Sequence, residues 1–446
     1  MSVTLAGTFV GLFTIYIVLK NARSAETVLV KLFALNLLYE GFINVGYFIT
    51  IGGQLFKVAD FLQFVCVLIS LPILIKKKPS VSVFVFIVII LTSVLLLIIA
   101  PYPELVRTFN GVDFINNKDY MHFPAFDLQT VKTSVRFICF VMNGAAVALC
   151  LNSITWGSIL AKYIEMGRFI IGYAWAEFFI KNVLRLSFTQ NIIQFVFGSD
   201  TSIMTGLVRN GLRVTIGFNN EPSQFCMMLY SYFIIYIISK AYLNQKKRQM
   251  VFTLSGLLLM LLCGSFRAIT FLPIILLLYL VISDKPANKI AIMIVFSVGM
   301  IVLYVVGAFD YNLVRLSRAL EFIETLDTSI AGGEAGRINT IIEAISVFIK
   351  RPLLGIGPGQ TFAYGFIPSM LAMTGLLGLL SWYNAIFGSI GRVRESVNKN
   401  KWILILVVIS ISWIYNDSIG IGYSIYVLAI AFIIRFDEQI AEYSPA

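Results

Sequence analysis

Charge and histidine are what this chain has least of. Only 13% of its 446 residues are Asp, Glu, Lys or Arg, and it holds a single histidine, His122. That histidine reads as a solvated loop residue. The five cysteines (Cys66, Cys139, Cys150, Cys226 and Cys263) are too scattered for metal-ligand spacing or a disulfide framework. All five fall in or beside apolar runs and read as core packing, so no metal and no cofactor is expected. The shortage of acidic residues leaves a formal charge of +11. The lysines sit in short loops between apolar runs, where the positive-inside rule puts them. They form no basic stripe interleaved with aromatics, which argues against nucleic-acid binding. No basic residue precedes the first apolar run, so that run reads as a membrane span and not as a cleaved leader.

What the chain has in abundance is apolar sequence: 59% of residues are hydrophobic and the mean hydropathy is +0.88. A helix needs about 20 residues to cross the hydrocarbon, and by that rule roughly thirteen spans can be drawn. They fall near residues 3–19, 28–51, 55–75, 81–100, 131–151, 168–186, 218–243, 251–263, 269–282 and 290–309, within 362–390, and as two spans dividing 402–434. The expected fold is all-α: one polytopic membrane domain over residues 1–446, with about 12–14 transmembrane helices. So little chain remains outside the bilayer that a separate soluble catalytic domain is excluded. Any chemistry must sit on loops and helix ends.

With the N-terminus outside, one orientation satisfies every cluster of positive charge. Lys20 and Arg23, Lys76–Lys78, Lys246–Arg248, Lys285 and Lys289, and Arg392 to Lys401 then fall in the cytoplasm, as does the C-terminus. The polar stretches 101–130, 187–216 and 310–360 fall outside. The last is about fifty residues long and is not low in complexity, and such a loop between spans is usually functional.

The outer stretches are biased towards arginine. Residues 187–216 carry Arg209 and Arg213 with no lysine, and 310–360 carry Arg315, Arg318, Arg337 and Arg351 with only Lys350. Arg267 follows the Gly264-Ser265-Phe266 break between two spans. Topology disfavours positive charge here, and arginine's planar fork binds phosphate bidentately, so an anionic ligand at the outer leaflet is the expectation. Each single arginine could instead meet a lipid headgroup or Glu321, Glu324 or Glu334. On a helix, Arg209 and Arg213 (i, i+4) would point the same way, as would Arg315 and Arg318 (i, i+3). After Arg337, Ile338, Ile341, Ile342, Ile345 and Ile349 have amphipathic helical spacing. Arg337 in the first turn of that helix would mark an anion site. Gly355, Gly357 and Gly359 allow close backbone approach, either to a ligand or to a neighbouring helix. No strand precedes them, so they are not a dinucleotide fingerprint.

Gly336-Arg337, an apolar helix, then Arg351-Pro352-Leu353-Leu354-Gly355-Ile356-Gly357-Pro358-Gly359 and later Gly375-Leu376-Leu377-Gly378-Leu379-Leu380 resemble the O-antigen polymerase/ligase superfamily. Gly264-Ser265-Phe266-Arg267 and Gly217-Phe218-Asn219-Asn220-Glu221-Pro222 resemble further segments of that family. The resemblance implies a GT-C-like membrane glycosyltransferase of the bacterial cytoplasmic (inner) membrane that needs neither metal nor nucleotide sugar. It implies undecaprenyl-diphosphate-linked oligosaccharides as donor and acceptor, with a flippase and a chain-length regulator as possible partners. An acceptor hydroxyl would attack the anomeric carbon and lipid diphosphate would leave. Arg337, Arg213 and Arg267 would stabilise that leaving group. Arg209, Arg315, Arg318 and the three glycines would bind diphosphate or glycan. Glu221 is the candidate general base, with a structural pairing to Arg213 as its alternative. Ligases of the superfamily carry a His-Asn pair before the Gly-Leu-Leu-Gly stretch. Here that region reads Gly365-Phe366-Ile367-Pro368-Ser369-Met370, which favours a Wzy-type polymerase over a ligase. A flippase or other transporter is the rival from another class, since Glu40, Glu177 and Lys181 lie within apolar runs.

Overall fold

Helix ends in this protein fall where Ser, Pro and Gly interrupt the apolar runs. The computed structural model describes residues 2–40, 47–51, 54–107, 121–150, 153–186, 208–209, 212–217, 222–239, 247–263, 265–282, 310–325, 333–361, 363 and 365–390, with single positions or pairs within 192–196 and 290–305. The spans expected in 402–434 lie outside these residues, as does Glu221. The helices are α1 (Leu5–Lys20), α2 (Ala25–Glu40), α3 (Val58–Lys77), α4 (Val81–Ile99), α5 (Leu128–Cys150) and α6 (Ser153–Asn182). They continue with α7 (Pro222–Ser239), α8 (Lys247–Leu262), α9 (Phe266–Ile282), α10 (Asp310–Thr325), α11 (Gly333–Lys350) and α12 (Phe366–Ile390). Among the described residues, five helices are long and apolar enough to cross a membrane: Val58–Lys77, Val81–Ile99, Leu128–Cys150, Pro222–Ser239 and Phe366–Ile386. Leu5–Lys20 and Phe271–Val281 are shorter apolar helices. The protein is a largely helical polytopic membrane protein.

Helix α4 shows how one sequence serves both lipid and core. Ser80 caps its first turn, and Pro101 stands two residues past its last residue, barring continuation. Its buried residues Val83, Phe86, Ile90, Ser93 and Leu97 are spaced by three or four and so form one stripe. That stripe packs on α12 and α5. The remaining side chains face outward: Val81 is 74% and Ile99 72% exposed, as is Ile75 (79%) on α3. Between helices in lipid the adhesion comes from packing and hydrogen bonds. The Ser70 hydroxyl of α3 donates to Asn143 Oδ1 of α5 at 3.1 Å, and Asn143 Nδ2 donates to the Gln63 carbonyl at 2.9 Å. Such interhelical bonds contribute about 0.6 kcal/mol each. Trp382 of α12 stacks between Phe140 and Phe366, at 6.1 and 4.6 Å between centroids.

Two faces result. On one, Lys77 at the end of α3 pairs with Glu26 at 2.9 Å and donates to the Leu149 carbonyl at 3.0 Å, which gathers the end of α3, the start of α2 and the end of α5. On the other lie the start of α5, the stretch after α4, and the 351–360 connection, held together by Arg351 Nη2 to the Pro101 carbonyl (3.2 Å) and Gln360 Nε2 to Asp127 Oδ1 (3.1 Å).

Several elements depart from the sequence reading. The run 28–51 is not one span: α2 stops at Glu40, and β2 (Tyr47–Ile51) pairs antiparallel with β1 (Ser2–Val3) and β3 (Gln54–Lys57). Ile51 pairs with Gln54, leaving Gly52-Gly53 as a two-residue connection. Glycine pairs favour the positive-φ hairpin turns, so a strand wins over continued helix. Helix α6 starts at Ser153, well before Arg168. Within 310–360, where amphipathic helices are expected, α10 and α11 fill most of the stretch.

Candidate functional site

The most distinctive backbone feature is an interruption in α12. Gly375 has φ +66° and ψ −170°, a conformation outside the helix. The connection after α11 fills the gap. Ile356 N–H donates to the Ala372 carbonyl at 3.0 Å and Gly357 N–H to that of Met373 at 2.9 Å. Leu376 and Leu377 donate their N–H groups to the carbonyls of Pro352 (2.8 Å) and Leu353 (3.2 Å). Four backbone groups that a broken helix would orphan are thus supplied by main chain. Gly355 (φ +65°) and Gly375 face each other's segments. A Cβ on Gly355 would strike the backbone of Ala372 and Met373, and one on Gly375 the backbone of Leu353 and Leu354. Gly357 abuts Leu97, and Gly359 abuts Thr133 and the Gln129 carbonyl. Of the two readings of these glycines, the geometry at Gly355 is close approach to a neighbouring helix.

Gln360 ends this connection in a buried polar network. Its Nε2 donates to Thr130 Oγ1 (2.6 Å) and Asp127 Oδ1 (3.1 Å), and its Oε1 accepts from Ala125 N–H (3.0 Å). Those partners fix which end of the amide is oxygen, so His122 Nε2, at 3.3 Å from Oε1, is the donor. His122 is therefore not a solvated loop residue. It lies in β5 (Met121–His122), paired with β4 (Val106–Arg107), and its Nδ1 is buried without a hydrogen-bond partner among the described residues. The sequence signal for this anchoring was slight, because a lone Gln after a Gly-rich stretch resembles any loop residue.

Arg209 and Arg213 are not on a helix, and their i, i+4 alignment does not apply. They lie in β6 (Val208–Arg209) and β7 (Leu212–Arg213), with Arg213 opposite Val208 and Arg209 opposite Leu212. The missed signal was Asn210-Gly211 between them, a strong two-residue hairpin signature. The hairpin is clamped to the end of α6: Arg213 N–H donates to Asn182 Oδ1 at 2.7 Å, and Asn182 Nδ2 returns a bond to the Arg213 carbonyl at 3.1 Å. One turn back on α6, Glu177 and Lys181 form a buried ion pair. Glu177 Oε2 also accepts Gly217 N–H (2.7 Å) and Ile216 N–H (3.3 Å), and Lys181 Nζ donates to the Val214 carbonyl (3.3 Å). Each charge meets its opposite and the backbone, so the pair serves to seat the segment 214–217.

That segment leads to the head of α7, where Gly217 lies against the Phe225 ring. Arg267, in the first turn of α9, directs Nη1 to Met227 Sδ, also in the first two turns of α7. The segments carrying Arg213 and Arg267 therefore meet at one end of α7. Arg337 falls in the second turn of α11, not the first, because that helix begins at Gly333. The backbone of Arg315 and Arg318 lies in α10, with Arg318 exposed. The described residues contain no group of three or more His, Cys, Asp or Glu that could hold a metal.

At the foot of α11, Lys350 bonds both carboxylate oxygens of Glu104 at 2.6 Å, and Arg351 lies 5.7 Å from the Tyr102 ring. The hydrogen bond from Lys350 holds the Glu104 carboxyl below its ordinary range, and the same bond raises Lys350. Compared with known proteins, the chain matches no family model and no curated sequence.

Proposed function

We propose that this protein polymerises lipid-linked oligosaccharides, joining undecaprenyl-diphosphate-linked repeat units by metal-independent glycosyl transfer at the outer face of a bacterial inner membrane. The observation that carries this reading is the meeting of the Arg213 and Arg267 segments at the head of α7, brought there by a hairpin and a helix start far apart in sequence. Two half-buried arginines carried to one end of α7 suit a departing diphosphate, whose charge grows as the glycosidic bond breaks. Arg337, Arg209, Arg315 and Arg318 are the further candidates, with Glu221 as the acceptor's base. Two observations count against the transporter alternative. The Glu177–Lys181 pair is internally neutralised, and the broken helix α12 has its free backbone groups occupied by main chain instead of open to a substrate. A ligase remains the alternative within the same superfamily.

The test is a gel of surface polysaccharide from a host lacking the gene, complemented with wild type, Arg213→Ala, Arg267→Ala, Arg337→Ala or Glu221→Gln. The expected result is collapse of the ladder to one repeat on lipid, rescue by wild type, and no rescue by the variants at equal membrane expression. Long polymer left unattached to its final acceptor would mark a ligase. A ladder untouched by the deletion would refute polymerisation.

A further inference from the structure

A second set of cations lies where α3 and α5 begin. Arg136 is two turns into α5, and its Nη2 donates to Asp60 Oδ2 at 2.6 Å. Asp60 sits in the first turn of α3, where Oδ2 also takes the Lys57 N–H at 3.3 Å. The two side chains are 17% and 16% exposed. Lys132 is one turn from Arg136 on the same face of α5 and is half-buried. Its ammonium is repelled by Arg136 and Lys57 and attracted by Asp60. Lys132 and Arg136 thus meet one carboxylate between them, and that carboxylate is already committed to Arg136.

Charges inside a membrane span are costly and rarely left without an opposite. A lysine near a helix end often escapes by reaching to the interface. Lys132 does not reach clear: it stays half-buried beside two like charges, while its neighbours Val131 and Val135 are exposed. Arg136 spends one of its five N–H donors on Asp60, and no other hydrogen bond from its side chain is present among the described residues. An anion with several acceptor oxygens would satisfy the rest of the fork and the ammonium together. Lys132 lies about one helical turn and Arg136 about two from the start of α5, the end at which an apolar span meets lipid headgroups.

We propose that Lys132 and Arg136 bind a phosphoryl group, that of an anionic membrane lipid. The site stands apart from the glycan-polymerase reading and does not require it. Lys132 supplies charge for the ligand and none for the fold.

The test measures thermal unfolding of the full chain, purified in neutral detergent, with three additions: phosphatidylglycerol, phosphatidylcholine or inorganic pyrophosphate. Phosphatidylglycerol is expected to raise the midpoint of the wild type by several degrees more than phosphatidylcholine does. In Lys132→Gln that extra rise is lost, while the midpoint without lipid is unchanged or higher because a repulsion has been removed. Arg136→Lys keeps the pair with Asp60 but loses the fork, and is expected to retain only part of the rise. A rise with pyrophosphate equal to that with lipid would keep the phosphoryl site but assign it to a soluble ligand. If Lys132→Gln lowers the lipid-free midpoint and keeps the full rise, Lys132 is structural and the proposal is wrong. A wild type indifferent to all three additions overturns it as well.

Discussion

Gly375 and Gly355 are the positions where one added carbon has most to disturb. Each lies at positive φ, and at each the Cβ would meet main chain, which cannot rotate away as a side chain does. At Gly357 the obstacle is the Leu97 side chain, 2.8 Å away at Cδ2. Alanine at Gly375 or Gly355 is therefore expected to cost about 3 kcal/mol or more, from backbone strain plus displaced hydrogen bonds. Gly357→Ala should cost less, through strain and a shifted leucine. Fluorescence-detected melting of the three variants checks the order, and a Gly355→Ala protein as stable as wild type would return that glycine to a ligand role. The need for close approach was legible in Gly-Ile-Gly-Pro-Gly. Its partner was not, because bonds between main-chain groups leave no trace in side-chain identity. The Gln360 network was hidden by sequence distance, since its side-chain partners lie more than two hundred residues away, whereas the mutual neutralisation of Glu177 and Lys181 could be read from their i, i+4 spacing.

Among the elements, α11 shows how apolar and charged contacts divide the work. Ala344 and Val347 share a small core with Tyr102, Val106, Ile356, Ala363 and Ala372, while Lys350 pairs with Glu104 at the exposed end. The apolar part does not titrate. Glu104 has a folded-state pKa held down by Lys350, so the pair's contribution is present above the ordinary carboxylate range and is lost as pH falls through the lowered value. Lys350 is raised by the same bond, so its side of the contribution is lost only as pH climbs past the ordinary lysine range. Lys350→Gln should thus destabilise at neutral pH, and the difference from wild type should vanish in acid and shrink in high salt. Val347→Ala should cost about 2 kcal/mol regardless of pH or salt. Thermal melts across pH for both variants decide it; a pH-independent Lys350→Gln deficit would mean that the pair is not what is being lost. Elements with long apolar periodicity were legible: α1, α4, α5 and α7 fall within a few residues of the runs that announce them. The hairpins were missed although Gly52-Gly53 and Asn210-Gly211 signal them, because overall hydropathy dominated the local turn chemistry.

For the whole molecule, the structure fixes which ends share a face, while the charge pattern predicts which face is cytoplasmic. Lys77, Glu26 and Leu149 lie together on one side; Pro101, Gln360, Asp127 and the Asp60–Arg136 pair lie on the other. Positive charge is retained in the cytoplasm during insertion, so Lys76–Lys78 predict that the first face is inward and the second outward. The five native cysteines are buried or half-buried, so serine replacements leave a quiet background for single probes. Leu353 is 59% exposed beside the interrupted helix, and Lys78 ends α3 on the opposite face. In intact cells an impermeant maleimide is expected to label Leu353→Cys and to reach Lys78→Cys only after permeabilisation. The reverse pattern would put the arginines at the head of α7 in the cytoplasm, away from any extracytoplasmic glycan. It would end the polymerase reading while leaving the phosphoryl site at Lys132 and Arg136 intact, since anionic lipid is present in the cytoplasmic leaflet too.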